Sequence, residues 1–217
     1  AMNPQADFPI LEDPLLEKLK DEHQSAVNFE KAFGMDKRTQ VGTGMRSFIT
    51  DETEVKEAKE FYQNYINTLS LERTFIRFQG EQISLKEETA YLDNLIKRIR
   101  KKQTIHVLVF SDNKLVATSG IDMGDKTEKH LGLLGISVAH EFRGQGIGRT
   151  LLELVIKEAV KNLQDLEIIT LGVFSKNGLA KSLYESFGFI EYGNLPKGAK
   201  LTSGYDDHIY MYKVIKK

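Results

Sequence analysis

LGLLGISVAHEFRGQGIGRTLLELVIKEAVKNL, residues 131–163, decides the fold, because it reads as a strand, a glycine loop and a helix in direct succession. Leu131, Leu133, Leu134, Ile136 and Val138 form an apolar run that is too brief for a membrane span and rich in strand formers. After Ala139, His140 and Glu141, the segment Arg143, Gly144, Gln145, Gly146, Ile147, Gly148 crowds its glycines into the step before a helix. That helix carries Leu151, Leu152, Val155, Ile156, Ala159, Val160 and Leu163 along one stripe. Glycine lets the backbone curl through conformations closed to other residues and approach a ligand closely. The first turn of the following helix adds free N–H groups and the positive end of its dipole. The loop is built to hold an anion such as a phosphate.

Spacing narrows the kind of loop. A P-loop sets Lys and then Ser or Thr after its last glycine, whereas Arg149 follows Gly148. A dinucleotide fold needs Gly-x-Gly-x-x-Gly, whereas these glycines fall at alternate positions, 144, 146 and 148. The pattern that fits is Arg-x-x-Gly-x-Gly at Arg143, Gly146 and Gly148, after a strand and before a helix.

Composition bounds the rest. At 217 residues the chain is long enough for a sizeable core without requiring a second one. Its 30 basic and 31 acidic residues leave a formal charge of -1, so no overall field draws in nucleic acid or an anionic membrane. The absence of cysteine excludes disulfides, thiolate metal sites and a cysteine nucleophile. With no long apolar stretch and no signal-like start, the expected setting is cytoplasmic. The histidines at 23, 106, 130, 140 and 208 show no paired helical spacing, so no metal is expected.

Ala1 before Met2 is set aside as a cloning remnant. Residues 1–44 are expected as an N-terminal extension, with a helix over 14–33 and a connector over 35–44 that folded chemistry does not need. Residues 45–217 are expected as one domain. Met45–Ile49 reads as a strand, Asp51 with Glu54 as a capping signal, and Ser84 with Glu87 as a capping box for a second helix. The basic run Lys97 to Lys102 reads as a solvated helix end that opposes the dipole. Ile105–Phe110 and Leu115–Met123 are strands joined by a turn. Leu166–Phe174 is apolar enough to be a strand buried on both faces. Ser175–Lys176–Asn177 opens a short helix ending at Phe187–Gly188, and a strand resumes at Phe189–Tyr192. Asn194–Gly204 reads as a mobile loop. The last strand, Tyr205–Ile215, alternates His208, Tyr210 and Tyr212 with Ile209, Met211 and Lys213, so each face has its own chemistry.

The expected order is β-α-α-β-β-β-α-β-α-β-β, an α/β (α+β) chain with a mixed central sheet flanked by helices. A second motif follows the first: Asn177, Ala180, Leu183–Tyr184 and Gly188–Phe189 stand as Asn-x-x-Ala-x-x-Leu-Tyr-x-x-x-Gly-Phe. Together the two motifs and the order of elements resemble the GNAT superfamily of acetyl-CoA-dependent N-acetyltransferases, from about Met45 to the C-terminus. The resemblance implies acetyl-CoA as co-substrate and a primary amine of a small molecule or protein as acceptor. It implies two splayed central strands, near Ile136–Val138 and Leu171–Phe174, that admit the pantetheine arm. It carries cofactor contacts onto Ile136, Ser137 and Val138, onto Arg143, Gly144, Gln145, Gly146, Ile147 and Gly148 for the diphosphate, and onto Asn177 and Tyr184. Tyr184 is the implied proton donor to the departing thiolate, a role that suits a phenol.

No motif assigns a general base. Asp122, Glu128, His130, Asp207 and His208 stand near strand ends and remain unranked. An acyl-CoA-binding regulatory or interaction module with little turnover is the alternative function. Nucleic acid and membrane are not expected partners, and a homodimer stays open. The stretches at 70–84, 124–130 and 194–204 are the expected walls of the acceptor site.

Overall fold

The computed structural model describes residues 45–49, 59–111 and 114–215. The expected N-terminal helix and connector, the Asp51 capping signal and the centre of the turn at 112–113 lie outside these residues. Elements follow the expected order: β1 (Met45–Ile49), α1 (Lys59–Glu72), α2 (Leu85–Arg100), β2 (Thr104–Ser111), β3 (Lys114–Met123), β4 (Leu131–Val138), α3 (Ile147–Asn162), β5 (Ile168–Phe174), α4 (Gly178–Ser186), β6 (Ile190–Leu201) and β7 (Gly204–Val214). No helix among the described residues is long and apolar enough to cross a membrane.

One seven-stranded sheet takes the order β1-β2-β3-β4-β5-β7-β6. All its pairings are antiparallel except β4 with β5. Parallel neighbours cannot be joined by a tight turn, and α3 supplies the crossover between them. The α3 stripe buries Leu151, Leu152, Val155 and Ala159 against Val107, Ile121, Leu134, Ile169 and Met211. Each fully buried Leu, Val or Ile of this kind stabilises the fold by about 1.5–3 kcal/mol relative to exposure. On the opposite face α1 and α2 bury Tyr62, Tyr65, Leu69, Leu92, Leu95 and Ile96 against Leu108 and Leu115.

The capping box of α2 forms as its sequence requires: Ser84 Oγ accepts from Glu87 N at 3.3 Å, and Glu87 Oε2 accepts from Ser84 N at 2.9 Å. At the other end Arg98 binds Asp122 Oδ1 at 3.1 Å and donates to the Met123 carbonyl at 2.8 Å. The basic run therefore fastens α2 to β3 and its dipole end.

Two expectations are corrected. β5 is buried on one face only: Ile169, Leu171 and Val173 point into the α3 side, while Gly172 on the other face is exposed. The reason is coverage, since α1 and α2 pack over β2 and β3 and stop short of β5. Asn194–Gly204 is not a loop, because β6 runs to Leu201 and pairs with β7 on both sides of residues 196–198. Pro196 lacks an N–H and would break a regular ladder. The register instead shifts between Leu195 and Ala199, and the Asp207 carboxylate accepts from Lys197 N at 2.8 Å in place of a ladder partner.

Candidate active site

β4 and β5 pair only at Leu131–Ile168, Gly132–Ile169 and Leu133–Thr170. Both strands continue, to Val138 and Phe174, and among the described residues no strand covers their facing edges. Ile136, Ser137 and Val138 stand on one of these edges, Leu171 to Phe174 on the other. Ile136 and Val138 turn their side chains to the α3 core. Ser137, one residue out of phase, faces α1 and shares a 2.9 Å hydrogen bond with the Tyr65 hydroxyl. Burial raises the Tyr65 pKa, so the phenol stays protonated and rigidly partnered.

The glycine loop lies where β4 gives way to α3. Gly144 and Gly146 have φ of 74° and 83°, a region that glycine reaches without a Cβ penalty. A Cβ built at either position meets nothing within 4 Å, so the loop is an open cradle. Backbone N–H groups from Gly144 through Gln145, Gly146 and Ile147 to Gly148 have no acceptor among the described residues, and Gly146 opens the helix without a side-chain cap. Donors left free at a helix start favour a bound anion. The Arg143 side chain turns away from this row. Its Nε donates to the Val138 carbonyl at 2.8 Å, and its guanidinium pairs with Glu72 at the end of α1. Glu72 also accepts from His140 N at 3.2 Å. Arg143 and Glu72 thus tie the loop to α1.

Asn177 caps α4, its Oδ1 accepting from Ala180 N at 3.3 Å while its Nδ2 keeps no partner among the described residues. Tyr184 sits two turns further along α4, buried edge-on against Phe189 at 5.9 Å between ring centres. Burial pushes its pKa up to about 12. Its hydroxyl has no hydrogen bond among the described residues, yet it is not among the sealed polar atoms such as Glu88 Oε1.

The five base candidates separate by position. Glu128 and His130 precede β4 at its paired end, and Asp122 lies opposite Leu133 with its carboxylate held by Arg98. The stretch 124–130 is therefore remote from the splay. Asp207 and His208 lie at the splayed end, where His208 pairs with Phe174. The Asp207 carboxylate is taken up by Lys197 N and by Asn194 Nδ2 at 3.4 Å. His208 makes no hydrogen bond or ion pair among the described residues; it stacks on Tyr210 at 4.7 Å. The two remaining expected walls meet, as Thr202 N donates to Gln79 Oε1 at 3.1 Å.

Sequence reasoning passed over Glu72, Tyr65 and Gly172. Glu72 and Tyr65 carry no local signal, since their partners lie far along the chain. Gly172 did carry one, because a glycine inside a strand marks a close approach of another group.

The arrangement of strands and helices recurs in solved structures. An acetyltransferase of the GNAT family from Streptococcus pneumoniae aligns with a TM-score of 0.70 at 24% identity, over 79% of this chain and 99% of its own. A ribosomal-protein-alanine N-acetyltransferase from Brucella melitensis aligns with a TM-score of 0.63 at 22% identity, over 78% and 99%. A putative acetyltransferase from Salmonella typhimurium, determined with acetyl-CoA, aligns with a TM-score of 0.64 at 16% identity, over 80% and 95%. No curated protein matches the chain. The Acetyltransferase (GNAT) family model matches residues 67–189, from α1 through the glycine loop and α4 to Phe189. With the splayed strands and the open loop in the positions that model covers, the chain belongs to the GNAT acetyltransferase family, enzymes that take their acetyl group from acetyl-CoA.

Proposed function

We propose that the chain is an N-acetyltransferase that moves the acetyl group of acetyl-CoA to a primary amine of a small molecule or protein by direct attack. The observation that carries this reading is the opening between β4 and β5 beside the row of unpaired N–H groups from Gly144 to Gly148. Acetyl-CoA supplies an activated acetyl thioester. The Gly144–Gly148 main chain holds the diphosphate, assisted by the helix dipole. The free edge of β4 at Ile136–Val138 receives the pantetheine arm as a strand would be received, and the Asn177 amide donates to it. An N–H on that edge, at Val138, faces the thioester carbonyl oxygen and stabilises charge that develops there. Tyr184, protonated throughout the neutral range, gives its proton to sulfur. No covalent enzyme intermediate is required.

A free, protonated Tyr184 hydroxyl favours turnover over a regulatory module that only binds acyl-CoA. Calorimetry with acetyl-CoA, followed by coenzyme A release with small amines, polyamines and peptides, tests the reading. Binding in the micromolar range and release dependent on one class of amine are expected. Binding without release for any amine returns the regulatory module, and absence of binding removes both.

A further inference from the structure

On the side of the sheet opposite α3 and α4, aromatic rings form one continuous chain. Phe75, in the α1–α2 connection, lies 6.5 Å from Phe174 at the end of β5, and Phe174 lies 5.4 Å from His208. His208 stacks on Tyr210 at 4.7 Å, Tyr210 lies 6.2 Å from Tyr192, and Tyr192 lies 5.8 Å from Tyr212. A single hydrophobic core does not account for it, since Tyr192 is 60% and Phe75 40% exposed.

This chain of rings borders the splay. Gly135 on β4 shares the face of Ser137, is exposed, and has nothing within 4 Å of where its Cβ would stand. Across the opening, Gly172 on β5 has no side chain of its own, and the His208 ring occupies that place. A Cβ at residue 172 would fall 2.3 Å from His208 Nε2. The imidazole therefore leans from β7 over the bare backbone of β5, the strand that borders the opening. Helices α3 and α4 cover the other side of the sheet, so an acceptor reaches the splay from the side of the rings.

We propose, resting on the acetyltransferase reading above, that this face receives a primary amine carried on an aromatic body, and that His208 takes the proton the ammonium must lose. Ring faces bind such a body by stacking and attract its ammonium through their quadrupoles. Charged groups stand near His208 on several elements. On β7 Asp206 is buried and accepts from the Ser175 hydroxyl at 2.6 Å, and Asp207 is held by Lys197 N. On β6 the Lys197 ammonium lies over Tyr205 at 5.8 Å, β5 contributes Gly172 and Phe174, and the α1–α2 connection contributes Phe75 and carries Arg73, Arg77 and Glu81. Rings rather than an acidic cluster therefore make up the surface beside His208.

Proton and bond changes balance. The ammonium gives one proton to His208, its freed lone pair forms the N–C bond, and the C–S bond breaks. Tyr184 protonates the sulfur and is reprotonated by the second proton that the nitrogen sheds. His208 passes its own proton to water. The products are an N-acetyl amine, coenzyme A thiol and one released proton.

The test compares 2-phenylethylamine, a peptide beginning with phenylalanine, and spermidine, with acetyl-CoA saturating. One or both aromatic amines should exceed spermidine in kcat/KM by about tenfold or more, the scale of a single good binding contact. The better of the two identifies a free amine or a chain terminus as the source. In His208→Phe, which keeps a ring against Tyr210 and Phe174, kcat at neutral pH should fall by about 10²–10⁴. Acetyl-CoA affinity and melting temperature should hold. In His208→Ala, added imidazole should restore part of the rate. Preference for spermidine, no acetylation of either aromatic amine, or undiminished turnover in His208→Phe overturns the proposal. So does a dimer in solution that hides Tyr192 and Tyr210 from solvent. Loss of acetyl-CoA binding in the unaltered chain instead overturns the acetyltransferase reading beneath it.

Discussion

Leu133 and Thr170 are the last residues at which β4 and β5 face each other as parallel partners. Beyond them the two strands run on with their inner edges uncovered. Buried backbone polar groups are almost always paired, so edges left open in the middle of a sheet are places for a ligand backbone. The main consequences concern what fills this opening and what holds it in shape.

Gly146→Val should weaken acetyl-CoA binding by roughly a hundredfold or more, about 2.7 kcal/mol of binding free energy. The side chain would project into the space where a Cβ at Gly146 now meets nothing, and valine resists the φ of 83°. Circular dichroism should retain the helical signal while calorimetry shows the loss. Undiminished affinity would remove the loop from the cofactor site.

Tyr184→Phe keeps the ring against Phe189 and removes only the hydroxyl. Turnover should fall by about a hundredfold or more, in the range for positioned proton transfer, with acetyl-CoA affinity little altered. Because burial holds the pKa near 12, Tyr184 should add no basic limb to the rate profile in the neutral range. Equal single-turnover rates in the two proteins would reduce Tyr184 to packing.

His106 is buried beside Tyr62, whose hydroxyl shares a 3.0 Å hydrogen bond with Nδ1. Burial lowers its pKa from 6.5 to about 4. Between these values the unfolded chain binds a proton that the native ring refuses. Stability should therefore fall as pH drops through this window, by about 3 kcal/mol from this residue alone. Glu88, whose pKa is raised by burial, acts with the opposite sign at the acidic end. Urea unfolding of the parent and of His106→Gln isolates the histidine: the variant should show the flatter dependence between about pH 6.5 and 4. Identical slopes would refute it.

Ser84→Ala removes the acceptor for Glu87 N at the start of α2. The loss of such a cap costs about 1 kcal/mol, equivalent to roughly 2–4 °C in Tm for a domain of this size. Thermal unfolding checks it, and no change would mean that packing of Leu92, Leu95 and Ile96 alone fixes the helix.

Much of this protein was legible in the order of its residues, because the signals were local. A capping box needs only Ser84 and Glu87. The loop needs only its alternating glycines before an apolar stripe, and α4 needs Asn177 at its start and Gly188 at its end. These are short-range constraints on dihedrals and hydrogen bonds, so strand, loop and helix could be placed without knowing the fold. The irregular half of β6 was not legible, because Pro196 and Gly198 read as a loop until β7 lies alongside and the Asp207 carboxylate replaces a missing ladder partner.

The chain by itself determined the sequence of elements, the free N–H row and the place of Tyr184 on a helix face. Tertiary structure decided how Arg143 is spent, since its partner Glu72 is distant in the chain and no spacing rule joins them. It also separated His208 from Asp122, Glu128, Asp207 and His130. All five stand near strand ends, but only register shows which ends open, and only the bare backbone of Gly172 lets an imidazole from the neighbouring strand lie over β5 beside the opening. Contacts of this kind depend on which strands become neighbours, and that is settled by burial of the whole sheet rather than by any segment of it.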